Sequence, residues 1–187
     1  MPSFLKYIGL VNIFLFLTIA STLLKISDKV DLKSKTASNL ATDKKTATIF
    51  NLSLFVFALG QIIFSLIANY FITGKVFSVP SGLFLIGGVC LILSSFITMK
   101  SHKEMHSNFS NFSSLFVGLG LLLLSLSLLS TNLYLGILLI LGSLLIPISY
   151  LVKGKLRGAY WEVVLFTGFL ICNVVLSIPL LFPSVLK

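Results

Sequence analysis

Residues 115–152 read LFVGLGLLLLSLSLLSTNLYLGILLILGSLLIPISYLV, 38 consecutive positions without a charge. About 20 apolar residues cross the hydrocarbon core of a bilayer as a helix, so this run is too long for one span and right for two. Ser130, Thr131 and Asn132 interrupt it. Turn-forming residues at that point predict a tight helical hairpin.

The same ruler applied outward gives six spans in the 187 residues: Phe4–Leu24, Ala47–Ile72, Phe77–Met99, Phe109–Leu129, Leu133–Val152 and Ala159–Phe182. The expected fold class is all-α, a polytopic bundle of six transmembrane helices forming one domain over 1–187. Composition points the same way. The chain is 57% hydrophobic and 10% charged, whereas a soluble domain carries about 25% charged residues. Most of this apolar surface therefore has lipid as its solvent. In the first span, Lys6 leads an apolar stretch that ends in the small residues Ala20, Ser21 and Thr22. That is a signal-peptide look, but the segment is read as a true span.

A net charge of +9 raises nucleic acid as a partner. The Lys and Arg residues are instead scattered singly at the ends of apolar runs, where charges set topology and meet headgroups, so nucleic acid is excluded. Eleven of the 14 lie in the first, third and fifth loops: Lys25, Lys29, Lys33, Lys35, Lys44, Lys45, Lys100, Lys103, Lys153, Lys155 and Arg157. Only Lys6, Lys75 and Lys187 fall on the other side. The expectation is a plasma-membrane protein with those three loops in the cytoplasm. The long first loop, Lys25 to Thr46, reads as solvated, with Asp43 or Thr46 capping the second helix. Cys90 and Cys172 both fall inside apolar runs and read as small buried hydrophobes.

Ionisable groups inside a span are functional candidates because burying them is costly. Lys6 and Glu162 lie near span ends, where contact with headgroups is cheap. No charge sits near a span midpoint, which argues against a proton-coupled pump or a voltage sensor. Among uncharged residues, Gln61, Ser65 and Asn69 follow at i, i+4 and i+8 on one helix face, with Asn173 in the last span. This stripe reads first as glue between helices and second as the lining of a polar path. Gly82, Gly87, Gly88, Gly118 and Gly142 mark small-residue faces for helix packing. Pro147 and Pro179 are expected to kink the fifth and sixth helices.

Both histidines lie in SHKEMHSNF, residues 101–109, whose polar part separates the third and fourth spans. It reads as a wet or headgroup-contacting loop. Were it helical, His102 and His106 would share a face with the spacing of two zinc ligands, Glu104 lying about 200° away. A further ligand would have to come from Asp28, Asp31, Asp43 or Glu162. His106 is the one candidate for a catalytic role. No phosphate-binding glycine loop, nucleophile elbow or in-span histidine for haem is present, and no cofactor is expected.

Taken in order, KTASNLATDKKTATIFNLSLFVFALG, GLFLIGGVCLILSSF and MHSNFSNFSSLFVG resemble the integral-membrane "domain of unknown function 998" group of archaea and bacteria. The corresponding positions are Phe50, Asn51, Gly60 and His106, with RGAYWEVV a looser fit. The resemblance implies six spans and an all-helical bundle, and no assigned activity. The chain departs from that group in its second and fourth loops, which hold only Lys75 between them.

Three functional readings follow. The first is a non-catalytic subunit or partner-binding scaffold, associating with other membrane subunits or with itself. The second is a channel or carrier for a small neutral or lipidic solute, with Gln61, Ser65, Asn69 and Asn173 lining the path. The third is an interfacial enzyme acting on lipids, pairing His106 with an aspartate of the first loop.

Overall fold

Where a helix ends inside or near a bilayer, its last carbonyls and first amides need partners. The connections of this chain are built around that need. The computed structural model describes residues 3–27, 37–43, 45–97, 102–152 and 160–186. Its helices are α1 (Ile8–Ile26, preceded by a 3-10 turn over Ser3–Tyr7), α2 (Ala47–Thr73), α3 (Val79–Phe96), α4 (Lys103–Leu129), α5 (Leu133–Val152) and α6 (Tyr160–Leu181). All six are long and apolar enough to cross a membrane, so the chain is a multi-pass membrane protein with an all-helical bundle.

Between α2 and α3, Gly74 ends α2 in the left-handed region (φ 69°), which glycine adopts without steric cost. Asn69 Nδ2 donates to the Lys75 carbonyl at 2.7 Å, and Ser78 Oγ donates to Asn69 Oδ1 at 2.8 Å. Ser78 and Ser81 then form a reciprocal capping box around Val79 and Pro80 at the start of α3. Asn69 thus closes a hairpin. At the Ser130–Asn132 turn, Asn132 Oδ1 accepts from Leu135 N at 3.0 Å while its Nδ2 donates to the Val185 carbonyl at 3.1 Å.

Consecutive helices pack side by side and α6 returns to α1, closing a ring; α2 also reaches α6 and α4 across the middle. Phe16 of α1 stacks on Phe57 of α2, ring centroids 4.6 Å apart. Asn12 lies over Gly60 and donates to the Phe57 carbonyl at 2.9 Å, so a polar side chain joins α1 to α2. Pro147 and Pro179 sit inside unbroken helices.

Backbone comes close to backbone where α5 meets α6. A Cβ at Gly168 would stand 2.8 Å from the backbone oxygen of Gly142, which cannot move aside. Gly87 faces Val117 and the Ser113 carbonyl, and Gly88 faces Ile62. Gly118 is in ordinary contact with Ile146, and Gly82 meets nothing within 4 Å, so the packing role expected of Gly82 does not hold.

Two further expectations change. The described part of the first loop is not simply solvated: Leu40 and Ala41, in a 3-10 turn over Ala37–Ala41, are buried. Thr46 occupies the N-cap of α2, yet its hydroxyl donates to the Leu40 carbonyl at 2.8 Å instead of capping, and so ties that turn down. The fourth helix begins at Lys103, six residues before the expected Phe109. Met99, the expected end of the third span, and Ala159, the expected start of the sixth, lie outside the described residues.

Overpacking a tight site costs about 1–3 kcal/mol, whereas Gly→Ala in an open helix position gains up to about 1 kcal/mol. Gly168→Ala and Gly88→Leu are therefore expected to lower the thermal midpoint in detergent, and Gly82→Ala to leave it level or raise it. Equal midpoints for all three would contradict the packing described.

Candidate functional site

The polar stretch that separates the third and fourth spans is helical from Lys103 onward, and that changes what its histidines can do. His102 stands at the N-cap of α4, exposed. His106, one turn in, is 4% exposed. The two do not present a shared face, because His102 has left helical geometry (φ −146°, ψ 68°). Among the described residues, no group of three His, Cys, Asp or Glu side chains is placed to hold a metal.

His106 has a specific partner instead. Its Nδ1 lies 2.8 Å from the carbonyl oxygens of both Ser94, in the last turn of α3, and Ile97, the C-cap of α3. Carbonyls only accept, so the ring proton is on Nδ1. One imidazole thereby satisfies two of the orphan carbonyls that α3 leaves at its end. In the neutral ring, Nε2 keeps its lone pair.

This docking turns one face of α4 inward. His106, Ser110, Ser113, Ser114 and Val117, at i, i+4, i+7, i+8 and i+11, border a cavity of about 90 Å³ inside the bundle. The opposite walls come from α2 (Phe50, Phe57, Gln61, Ser65), α6 (Trp161, Glu162, Phe169), Phe16 of α1 and Phe84 of α3. The cavity starts at the first turns of α4 and α6, on the side of the first, third and fifth loops.

Glu162 is 6% exposed and lines this cavity, so it turns into the bundle and not out to headgroups. Of the carboxylates considered for His106, Asp28 and Asp31 lie outside the described residues. Asp43 is taken up by the Ser27 hydroxyl at 2.5 Å and by Lys45 N at 3.0 Å. Among the described carboxylates, Glu162 is the one that lines the same cavity as the histidine. The pairing of His106 with a first-loop aspartate, on which the enzyme reading rests, is not formed by Asp43.

The polar stripe divides. Gln61 Nε2 donates to Asn173 Oδ1 at 3.1 Å, joining α2 to α6, and Asn173 Nδ2 donates to the Phe169 carbonyl at 2.8 Å. Gln61 and Ser65 also line the cavity. Asn69 belongs to the α2–α3 hairpin. Neither Asn12 nor the inward turn of Glu162 follows from span counting. The serine face of α4 was legible as a helical repeat once the helix is started at Lys103. Gly142 faces Cys172 and Ile171, and Cys90 and Cys172 are free thiols.

Protein-family models, curated proteins and solved structures were compared with the chain, and none matches.

Replacing one partner of a buried hydrogen bond leaves the other unmet at about 1–3 kcal/mol. His106→Leu is expected to lower the thermal midpoint by several degrees, and His102→Leu to leave it unchanged. Equal effects of the two substitutions would contradict the role of His106 at the end of α3.

Proposed function

We propose that this chain is a membrane-embedded binding protein of the carrier class, which takes a small amphipathic solute into the cavity bordered by α2, α4 and α6. The supporting observation is a pair of hydroxyls. Ser65 and Ser113 are buried in the cavity wall, and among the described residues neither has a hydrogen-bond partner. Hydroxyls that face a cavity without a protein partner are open to bonding by an occupant, so a polar group is stabilised there.

A second feature favours an amphiphile over a purely polar solute. Ser114 borders the cavity and also an apolar groove of about 300 Å³ between α4 and α5, lined by Leu115, Leu119, Leu122, Leu144 and Pro147. A polar head in the cavity and a short apolar tail along the groove match these two linings.

The same proposal places the chain in the plasma membrane with the first, third and fifth loops in the cytoplasm, on the eleven-to-three distribution of Lys and Arg. Many of those side chains lie outside the described residues. Kinship with the "domain of unknown function 998" group belongs to the proposal too. Two of the positions that carry it, Phe50 and His106, border the cavity. The scaffold reading finds no comparable local feature to select it.

Native mass spectrometry of protein extracted gently from its own membrane tests this. Wild type is expected to retain a small amphiphile, and the Ser65→Ala/Ser113→Ala double variant to retain several-fold less of it. Stoichiometric protein partners with no small molecule would favour the subunit reading. Unchanged retention in the variant would separate the solute from this cavity.

A further inference from the structure

We infer that the head group this cavity selects is a neutral hydroxyl, so that the solute is a small aliphatic alcohol; this rests on the carrier reading and names its solute class. The polar groups around the space divide into those already bonded and those still open. Gln61 is paired with Asn173, Ser114 donates to the Ser110 carbonyl at 3.1 Å, and Glu162 and Trp161 are engaged elsewhere in the chain. Left open are the hydroxyls of Ser65, Ser110 and Ser113 and the Nε2 of His106, whose Nδ1 is committed to α3. Among the described residues, the one polar side-chain atom that is both sealed off and unpartnered is Asn51 Oδ1, which does not border this cavity. The four open groups therefore face space that a small polar group can reach.

The open groups are unequal in what they demand. A serine hydroxyl turns to donate or to accept, so each of the three adapts to any polar occupant. The His106 Nε2 has no such choice: with the ring proton on Nδ1 it offers a lone pair and only accepts. An occupant without a donor leaves that lone pair unmet inside the bundle. Ketones, esters and ethers only accept, and a carboxylic acid ionised at neutral pH has no proton to give either. A hydroxyl carries donor and acceptor on one atom. It donates to Nε2 and accepts from Ser113 of α4 or from Ser65 on the facing wall of α2.

Size fits the same class. At about 30 Å³ per water in the liquid, a cavity of about 90 Å³ takes roughly three or four heavy atoms, enough for a hydroxyl and the carbons next to it. The rest of an alkyl chain belongs in the groove between α4 and α5, which Ser114 joins to the cavity. The pair 2-octanol and 2-octanone share one carbon skeleton and differ in a hydroxyl against a carbonyl, so they isolate the donor. His106→Asn isolates its acceptor. The Asn Nδ2 leaves the backbone at the same branch as the ring's Nδ1 and keeps a donor for the Ser94 and Ile97 carbonyls, but nothing stands in place of Nε2.

Ligand-detected saturation-transfer NMR of each probe, titrated against the full chain in lipid nanodiscs with empty nanodiscs as the blank, tests the inference at neutral pH. In wild type, 2-octanol is expected to bind about tenfold more tightly than 2-octanone, the scale of one buried hydrogen bond made or missed. His106→Asn is expected to bring the two within about threefold of each other, while Ser113→Ala weakens both and leaves their ratio standing. Should the ketone bind wild type as tightly as the alcohol, the cavity is a site that does not read a hydroxyl, and this inference falls while the carrier reading stands. A preference that survives in His106→Asn would also overturn it, because the recognised proton then goes elsewhere. If neither probe binds above the blank, the carrier reading fails with it. The wild-type ranking decides the matter even if a variant does not fold.

Discussion

One imidazole N–H holds two carbonyl oxygens at the end of α3, and much of the bundle's interior is arranged around that contact. Near a bilayer a helix end cannot leave its carbonyls to water, so something in the chain must donate to them. His106 does so from the first turn of the next helix. The cost of an unmet carbonyl therefore fixes the register between α3 and α4. It also fixes the tautomer of the ring, and it decides which face of α4 turns inward. That face is the serine-rich one. A structural cap and a polar cavity thus come from the same residue.

Around the cap, the helices approach closely at some levels and stand apart at others. Gly168 against the Gly142 backbone, and Gly88 against Ile62, draw α5 to α6 and α3 to α2. Lipid supplies no hydrophobic drive between helices, so close contact of this kind and the Gln61–Asn173 amide pair help to hold the ring together. Where Phe16, Phe57, Phe84 and Trp161 meet the small side chains of α4, the large rings span the gap without filling it. The cavity is the space left where bulky and small faces oppose each other at the level of the first turns of α4 and α6.

Much of the architecture was legible in the sequence, because span length is a physical constant of the bilayer. The uncharged run of 115–152 and its Ser130–Asn132 break fall where α4 ends and α5 begins. The site was less legible. Polarity from Ser101 to Asn108 reads as loop when each residue is judged alone, yet His106 is buried because its ring has carbonyls to serve. Glu162 near a span end reads as a headgroup contact, since only the packing of α6 against α2 and α4 decides whether it turns in or out. Asn69 and Gln61 share a face in sequence but part company in space: one closes a hairpin and the other joins two helices. Glycine counting likewise cannot tell Gly82, which touches nothing, from Gly168, which touches backbone.

The account turns on where the proton of His106 resides. Nitrogen-15 NMR of the imidazoles in nanodiscs measures this directly, since the chain has two histidines and a His102→Gln variant assigns them. The account predicts that the neutral ring of His106 is a single tautomer with its proton on Nδ1, while the exposed His102 ring exchanges freely between both forms. A neutral His106 ring carrying its proton on Nε2, or averaging between the two nitrogens like His102, would contradict it. In that case the ring does not cap α3, and the inward face of α4 has lost its cause.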